Sequence, residues 1–429
     1  MASEYMGRKA DSELELNLRS MGAVLITGPK WCGKTRTASE FTKSAIYFQD
    51  PDNRTKYDAI SKTKPSKFLE GEKPRLLDEW QMYPIVWDSV RFHVDIEHSI
   101  GDFILTGSST PIPEKEKEER KHTGTGRICE MRMRTMSLHE SGESNGEVSL
   151  KDLFSGNLDV FSESDLGLED IAFLICRGGW PESIGRDEDV SLNIASLYYE
   201  TVVNEDVSKV DNVRRNSNTV DKLLRSVARN TSSQTPVSIL CEDVRGDDYG
   251  GQIDVSDITL RSYMSALQRL YVIEDLEAWM PSMRAKARIR KTPKRNLADP
   301  SIAAAALRCK PDALLKDTTT LGLLFESLCI RDLRVYMQSL GGNVYFYRDE
   351  TNYEVDAILD LGDGRWAAVE VKLNPDREDK AADNLKHILT KVDTAIMNEP
   401  SFMMVLTATG IAHRRDDGVL VVPIGCLRD

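Results

Sequence analysis

Short apolar runs, each closed by glycine, proline or a charged residue, recur through the first 165 residues of the chain. Runs of this kind are typical of parallel strands that are covered by helices on both faces. Stretches with helical spacing separate the runs, and this alternation predicts a parallel βαβ sheet. The four predicted strands are residues 23–27, 45–48, 75–78 and 103–106.

From residue 166 to residue 235 the apolar positions recur with a helical period instead, and residues 236–300 predict two helices followed by a short strand pair. After a candidate N-cap at Asp257, one helix face collects the apolar residues Leu260, Tyr263, Met264, Leu267 and Leu270. A predicted strand at residues 271–279 follows, and this order of elements resembles a winged helix. The rest of the chain predicts a separate α/β domain, with a helix at 321–339 and strands at 344–347, 354–359, 366–371, 403–406 and 419–422.

Composition narrows the class of protein. The 429 residues are 40% hydrophobic, which suits globular domains with real cores. The 69 acidic residues outnumber the 56 basic ones, and the net charge of -13 excludes a wholly basic nucleic-acid coat. No apolar run approaches the ~18–20 residues that cross a bilayer, and the charged start lacks a secretory pattern, so we expect no membrane partner. Seven irregularly spaced cysteines predict a cytoplasmic protein without a disulfide framework.

The clearest chemical motif is GPKWCGKT at residues 28–35, which fits G-x-x-x-x-G-K-[ST] between a predicted strand and a predicted helix. Its glycines let backbone N–H groups at a helix N-terminus approach phosphate oxygens closely. We expect Lys34 to reach the β- and γ-phosphates of ATP and Thr35 to hold Mg²⁺. The residues expected around the nucleotide are Gly28, Pro29, Lys30, Trp31, Cys32, Gly33, Lys34, Thr35 and Arg36.

Further candidates for the nucleotide site follow the third and fourth predicted strands. Ligands bind at the carboxyl ends of parallel strands, so we expect Asp78 to bind Mg²⁺ and Glu79 to orient the attacking water. Taken alone, two such acids also occur in solvated turns. Thr106 or Ser108 is a candidate sensor of the γ-phosphate, with a plain strand-to-loop turn as the alternative. Arg127 is a candidate for stabilising transition-state charge, with a surface salt bridge as the alternative.

The C-terminal region carries a second set of chemical residues. A tight turn at residues 362–364 predicts a hairpin, and side-chain alternation along its strands lets Asp356, Glu370 and Lys372 converge. Two carboxylates can bind Mg²⁺ or Mn²⁺ and a lysine can hold a water, as metal-dependent phosphodiester cleavage requires. Glu326 on the preceding helix is a further candidate metal ligand. A half-exposed hairpin, or an inactive descendant of a nuclease, is the alternative.

Two charged segments complete the sequence features. Residues 114–122, EKEKEERKH, are typical of a solvated helix end or loop. Residues 284–295 contain no acid and form a local positive field, which favours contact with a DNA or RNA backbone. An inter-domain seam neutralised by acids is the alternative for this segment. Its basic residues are Arg284, Lys286, Arg288, Arg290, Lys291, Lys294 and Arg295.

Taken in order, the motifs resemble the archaeal and bacterial ATPases that join an AAA-type nucleotide domain to a C-terminal domain of unknown function. The resemblance covers almost the whole chain and includes GPKWCGKT, LLDEWQ, CRGGWPE, TPKRNLADP, EVDAIL and AAVEVKLN. It implies an α/β protein with an AAA-type P-loop NTPase domain at 1–165 and a helical lid-like segment at 166–235. A winged-helix-like domain at 236–305 and a PD-(D/E)XK nuclease-like domain, of the restriction-endonuclease type, at 306–429 would follow.

The resemblance matches the phosphate loop, Asp78 and Glu79 to the nucleotide motifs, and Asp356, Glu370 and Lys372 to the nuclease signature. Glu326 matches an acid that sometimes occurs on the first helix of that fold. The sequence departs from the simplest signature because Val355, rather than proline, precedes Asp356. We therefore expect a Mg²⁺-dependent ATPase whose nucleotide state controls a nuclease-like domain. The alternative is a nucleotide-controlled switch that binds nucleic acid or protein, and an oligomer is compatible with either.

Overall fold

A computed structural model describes residues 5–107, 126–210, 213–246, 255–279, 292–392 and 397–429 of the chain. The chain divides into two compact units. The first unit contains Met1–Arg134, Ser208–Arg214 and Ala266–Tyr271. The second unit contains Thr135–Val207, Arg215–Ser265 and Val272–Asp429. The four domain ranges expected from the sequence stay predictions.

The first unit is built on a five-stranded sheet with the strand order β2-β3-β4-β1-β5, and every pair of neighbours is parallel. Its strands are β1 (Ala23–Thr27), β2 (Ser44–Tyr47), β3 (Arg75–Asp78), β4 (Phe103–Thr106) and β5 (Ile128–Arg132). Its helices are α1 (Ala10–Ser20), α2 (Lys34–Glu40), α3 (Arg54–Thr63) and α4 (Ile85–Glu97). The predicted parallel sheet of a P-loop NTPase is therefore confirmed, and β5 is an additional strand.

Both faces of this sheet are covered, as the apolar runs predicted. Successive residues of a strand point to opposite faces. Accordingly, Val24 and Ile26 of β1 pack in one apolar cluster, whereas Ala23 and Leu25 pack in the other. A buried tryptophan, Trp80, packs in the second cluster and lies directly after the strand end that carries Asp78 and Glu79.

The second unit begins with short elements and continues with helices. The short elements are α5 (Leu138–Ser141), β6 (Val148–Ser149), α6 (Leu150–Phe154) and β7 (Ser162–Glu163). The larger helices of the middle of the chain are α7 (Leu168–Arg177), α8 (Glu188–Thr201), α9 (Ser217–Arg229), α10 (Val237–Arg245) and α11 (Asp257–Arg269). The residues of α11 from Ala266 onward belong to the first unit. Residues 271–279 contain single bridges, such as Leu276 with Lys294, where the sequence predicted a strand. The winged-helix interpretation stays a prediction.

The C-terminal part of the second unit is a mixed α/β domain, as predicted. Its helices are α12 (Pro300–Leu307), α13 (Pro311–Lys316), α14 (Thr318–Ser339) and α15 (Glu378–His387). Its strands are β8 (Asn343–Arg348), β9 (Glu354–Asp360), β10 (Trp366–Lys372), β11 (Phe402–Thr407), β12 (Ile411–Arg414), β13 (Leu420–Pro423) and β14 (Leu427–Arg428). The main sheet has seven strands in the order β7-β12-β13-β11-β10-β9-β8, and β6 pairs with β14. Within the described ranges, we find no helix with the length and apolar character that spanning a bilayer requires.

Candidate functional site

The loop between β1 and α2 has the backbone that a phosphate loop requires. Gly28 and Gly33 have φ angles of 144° and 101°, in the left-handed region that side chains disfavour. A Cβ atom added to Gly28 would overlap the carbonyl oxygen of Met133. The glycine at this position is therefore fixed both by its conformation and by the close approach of a second backbone segment.

We expect Gly28→Ala to lower the stability of the first unit by about 2–3 kcal/mol, because backbone strain and a steric clash act together. Thermal unfolding monitored by circular dichroism measures the loss. Gly126→Ala is the matched control, since Gly126 has a φ of 76° but nothing within 4 Å of an added Cβ. Equal losses in the two variants would show that the approach of Met133 contributes nothing.

Lys34 is buried inside the loop that it follows. Its ammonium donates hydrogen bonds to the carbonyl oxygens of Gly28, at 2.9 Å, and Pro29, at 2.8 Å. Both acceptors are neutral, so they leave the positive charge of the ammonium available to an anion. The loop thus holds a fixed positive charge beside backbone that is shaped to surround an anion.

Asp78, at the end of β3, gathers three polar side chains around one buried carboxylate. Thr35 Oγ1 donates to its Oδ1 at 2.7 Å, and Thr106 Oγ1 donates to the same oxygen at 2.6 Å. Gln49 Nε2 donates to Oδ2 at 3.2 Å. Burial raises the pKa of Asp78, and the hydrogen bonds from Thr106 and Thr35 offset part of this rise. A hydroxyl and a carboxylate at bonding distance are ligands that Mg²⁺ prefers, so Thr35 and Asp78 fit this metal.

Glu79 lies beside this pair and has an unusual backbone conformation. Its φ of 55° is in the left-handed region, where non-glycine residues are uncommon. Its N–H donates to Thr106 Oγ1 at 3.2 Å, and its carboxylate accepts a hydrogen bond from the side chain of Gln81. Thr106 therefore bonds both acids, and the structure brings them together with Thr35 as the sequence predicted.

An N-terminal segment that the sequence motifs did not indicate holds the phosphate loop in place. The buried Arg8 donates to the carbonyl oxygens of Cys32 and Arg134, both at 2.9 Å. The hydroxyl of Tyr5 lies 3.0 Å from Thr37 Oγ1 on α2. These contacts join residues far apart in the sequence, and no local pattern around residues 5–8 indicates them.

The structure does not bring Arg127 to the phosphate loop. Its carbonyl oxygen accepts a hydrogen bond from Ala23 N–H at 3.1 Å, at the start of β1, whereas the loop follows the end of that strand. Because β5 is parallel to β1, the residue before β5 lies at the amino edge, roughly 15 Å from the carboxyl edge. The guanidinium of Arg127 instead forms an ion pair with Asp95.

Three other predicted residues are peripheral or lie outside the described residues. Arg36 forms an ion pair with Glu40 at 2.6 Å, and about half of its side chain is exposed. Trp31 has a φ of 65° and is 44% exposed. Ser108, the candidate γ-phosphate sensor, lies outside the described residues, whereas Thr106 is buried against Asp78.

The C-terminal hairpin also forms as predicted. Strands β9 and β10 are antiparallel, and Lys372 Nζ lies 2.6 Å from Glu370 Oε2 and 3.4 Å from Asp356 Oδ2. The N–H of Val371 donates to Asp356 Oδ2 at 2.9 Å, and Asn384 Nδ2 donates to Glu370 Oε1 at 2.6 Å. The three residues of the nuclease-like signature therefore converge.

Lys294 lies on the other side of Asp356, which the sequence did not predict. Its Nζ is 2.8 Å from Glu326 Oε1, 2.6 Å from Glu354 Oε1 and 3.7 Å from Asp356 Oδ1. Only 2% of its side chain is exposed. We call Glu326, Glu354, Asp356 and Glu370 the acidic cluster.

Burial and the neighbouring charges, including those of Lys294 and Lys372, shift the pKa values of the carboxyl groups in the acidic cluster. Burial raises the pKa of Glu370 to about 8 and that of Glu326 to about 7, and the neighbouring Asp356 adds to both. Burial also opposes ionisation of Asp356, but Lys294 and Lys372 outweigh it and lower its pKa. Among the residues that the structure describes, no group of three or more His, Cys, Asp or Glu side chains is arranged to hold a metal ion. As it stands, the acidic cluster does not fit the expected second metal.

The part of the basic segment that the structure describes is paired with acids. Lys294 lies in the acidic cluster, and Arg295 forms an ion pair with Asp275. For these two residues the structure supports the neutralised seam rather than an exposed positive patch. The remaining basic residues, Arg284, Lys286, Arg288, Arg290 and Lys291, lie outside the described residues, as does the 114–122 run.

Three family models match successive parts of the chain. Residues 20–142 match an AAA domain, and this region contains the phosphate loop and the two strand-end acids. Residues 20–142 are therefore similar to AAA-type P-loop ATPase domains. Residues 168–313 and 321–427 match two domains of unknown function, DUF8612 and DUF4143 respectively. The match supports the predicted AAA-type nucleotide domain over residues 20–142, whereas neither of the other two descriptions names a nuclease.

The chain is also similar to individual proteins. Uncharacterized proteins of Mycobacterium tuberculosis and Mycobacterium bovis are each 24% identical over 368 residues, which cover 85% of this chain and 73% of the relative. The Walker-type ATPase of Pyrococcus abyssi is 14% identical, covering 71% of this chain and 96% of that one, with a TM-score of 0.42. The ORC2 protein of Aeropyrum pernix is 12% identical, covering 75% and 93%, with a TM-score of 0.31.

Proposed function

We propose that this chain is a Mg²⁺-dependent ATPase whose nucleotide state controls its C-terminal domain. The observation that carries the ATPase proposal is the convergence of three groups at one edge of the parallel sheet. Lys34 supplies a fixed positive charge, and the hydroxyl of Thr35 and the carboxylate of Asp78 share a hydrogen bond of 2.7 Å. A triphosphate with a divalent ion matches this combination of charges and ligands.

Each residue of the site has a distinct role in the proposed reaction. Lys34 exchanges its carbonyl partners for oxygens of the β- and γ-phosphates, and Thr35 and Asp78 hold Mg²⁺. When bound, Mg²⁺ neutralises charge on the phosphate oxygens. Glu79 orients the water that attacks the γ-phosphorus. Thr106 bonds both acids and so fixes the position of Glu79 relative to Asp78.

The proposed output of the cycle is a change in the C-terminal domain, which acts on DNA or RNA. The converging Asp356, Glu370 and Lys372 support a nuclease-like domain. The second candidate is a nucleotide-controlled binding switch whose C-terminal domain does not cleave, and Lys294 within the acidic cluster favours it.

Incubation with DNA and RNA in Mg²⁺ or Mn²⁺, with and without ATP, separates the nuclease from the binding switch. Cleavage by wild type but not by Asp356→Asn supports the nuclease, and nucleotide-dependent affinity without cleavage supports the switch.

We expect Lys34→Ala to weaken ATP binding by roughly 100-fold or more, because charge-assisted hydrogen bonds to phosphate are lost. Isothermal titration with ATP and Mg²⁺ measures the affinity. Lys43→Ala is the matched control, since Lys43 is exposed and immediately precedes β2, at the amino edge of the sheet. Unchanged binding by Lys34→Ala would reject the loop as the triphosphate site.

A further inference from the structure

Lys294 lies within 4 Å of two of the carboxylates that the nuclease interpretation expects to bind a divalent cation, those of Glu326 and Asp356. Its ammonium contacts Glu326 from α14 and Glu354 from β9, and it lies 3.7 Å from Asp356. Carboxylate oxygens from one helix and one strand therefore surround a single positive charge. Oxygen ligands of this kind are also those that hard divalent cations take.

The charge of Lys294 is secured by its surroundings. Burial alone would lower the pKa of Lys294, but Glu326, Asp356 and Glu354 outweigh this effect and raise the pKa above its ordinary value. An ammonium with 2% of its side chain exposed is stable only because the carboxylates compensate its lost hydration. Conversely, Glu326 depends on Lys294 for its counter-charge, whereas Glu354 also pairs with Arg348 and Asp356 also pairs with Lys372.

The backbone holds Lys294 in this position. Its N–H donates to the carbonyl oxygen of Leu276 at 3.0 Å, and its own carbonyl accepts from Leu276 N–H at 2.9 Å. The next residue, Arg295, donates through its N–H to the carbonyl oxygen of Ser233 at 2.8 Å. Main-chain hydrogen bonds at Lys294 and at Arg295 therefore fix the backbone that carries the ammonium. Lys294 differs in this respect from a mobile lysine at the surface.

We propose that Lys294 is the resident cation of the acidic cluster and excludes divalent metal ions from it. This inference rests on the proposed function only in treating Asp356 and Glu370 as a nuclease-like pair. Withdrawing Lys294 alone would leave the buried carboxylate of Glu326 without its counter-charge, which is unfavourable. Withdrawal of the lysine and entry of a metal ion are therefore coupled, and each favours the other. The lysine thus acts as an autoinhibitory contact.

The test is Mn²⁺ binding to the full chain without nucleotide, followed by electron paramagnetic resonance. Lys294→Gln is expected to gain a Mn²⁺ site at least roughly tenfold tighter than any that wild type shows, since truncating one partner of a buried charge pair has effects of this size. The double variant Lys294→Gln with Asp356→Asn should lose that site again. Lys386→Gln is the matched control, because Lys386 pairs with Asp383 and Asp417 away from the acidic cluster.

Two outcomes would overturn the inference. Wild type that binds Mn²⁺ through Asp356 as tightly as Lys294→Gln would show that Lys294 does not exclude the ion. Absence of the new site from both Lys294→Gln and Lys294→Met, each shown to be folded by thermal unfolding, would show that the cluster is not a metal site at all. Lys294→Met covers the case in which glutamine disturbs folding, because methionine keeps the unbranched apolar stem of lysine and adds no buried amide.

Failure of this inference is distinguishable from failure of the proposed function. ATP hydrolysis is measured in the same preparations as a separate readout, because the nucleotide site and the acidic cluster share no residue. If Lys294→Gln gains the Mn²⁺ site but neither this variant nor wild type hydrolyses ATP, the ATPase proposal fails. The inference that Lys294 excludes divalent ions then still holds. If ATP is hydrolysed and wild type already binds Mn²⁺ through Asp356, the inference about Lys294 fails and the ATPase proposal still holds.

Discussion

Replacing Glu79 by glutamine should lower the rate of ATP hydrolysis by a factor of roughly 10²–10⁴ and leave ATP bound. Glutamine keeps the size of the side chain, but its neutral amide cannot orient and polarise the attacking water as the carboxylate of Glu79 does. Lys34, Thr35 and Asp78 are unchanged in this variant, so binding of the triphosphate and Mg²⁺ should persist. The variant should therefore accumulate the ATP-bound state.

Phosphate release under single-turnover conditions measures the rate, and titration with ATP measures binding in the same preparation. Glu97→Gln is the matched control, since Glu97 is exposed at the end of α4. A Glu79→Gln variant that hydrolyses ATP at the wild-type rate would show that another group orients the water. Loss of binding together with hydrolysis would assign Glu79 to the binding of the nucleotide rather than to the chemical step.

The nucleotide site could be predicted from the sequence because its determinants are local. The glycines, Lys34 and Thr35 fall within one loop, and Asp78 ends a short apolar run that is recognisable as a strand. Parallel strands bring their carboxyl ends to one edge, so the topology completes the site. Arg8 could not be predicted in the same way, because its role depends on carbonyl oxygens of Cys32 and Arg134.

Arg127 was a wrong candidate for the nucleotide site because the strand that follows it, β5, was not predicted from the sequence. The segment ICEMR, which forms β5, contains two charged residues among its five and does not form a continuous apolar run. Without β5, the direction of the chain after Arg127 was unknown, and so was the edge of the sheet at which it lies. The pairing of Ala23 with Ile128 places it at the edge opposite the phosphate loop.

The part of the C-terminal site that lies on the β9–β10 hairpin could be predicted from the sequence. Alternation and a tight turn predicted that Asp356, Glu370 and Lys372 converge, and the structure shows this. The contact of Lys294 with Glu326 and Glu354 was not predictable, because it joins segments that are distant in the sequence. A run of basic residues by itself indicates an exposed patch. Only the fold shows that one of these residues is buried among acids.

The carboxylate of Asp299 is the centre of a buried network of hydrogen bonds. Of the substitutions considered, we expect the loss of this carboxylate to lower the free energy of unfolding the most. The residue is fully buried, and its carboxylate accepts hydrogen bonds from Thr135 Oγ1 at 2.7 Å and Gly179 N–H at 3.0 Å. It also accepts from Ser301 N–H at 2.9 Å and from Arg331 Nη1 at 3.1 Å. These partners come from all three regions that match family models.

We expect Asp299→Ala to lower the free energy of unfolding by about 3–5 kcal/mol, because it leaves the buried Arg331 without one of its two carboxylate partners. The backbone N–H of Gly179 would also lose its acceptor. Urea denaturation followed by tryptophan fluorescence measures the loss. Asp299→Asn keeps an acceptor oxygen and should cost less, and Asp187→Ala, at an exposed N-cap without a side-chain bond, is the control.

The stabilisation by Asp299 should also depend on pH in a defined direction. Burial alone would raise the pKa of Asp299, but Arg331 and the hydrogen bonds outweigh it and lower the pKa below its ordinary value. A carboxyl group whose folded-state pKa is lowered stabilises the fold fully above its unfolded pKa, which is about 3.9, and this stabilisation declines as the pH falls towards the folded value. The stability difference between wild type and Asp299→Asn should therefore be constant near neutrality and shrink below about pH 4. A difference that grows on acidification would contradict the charged state of Asp299 in the fold.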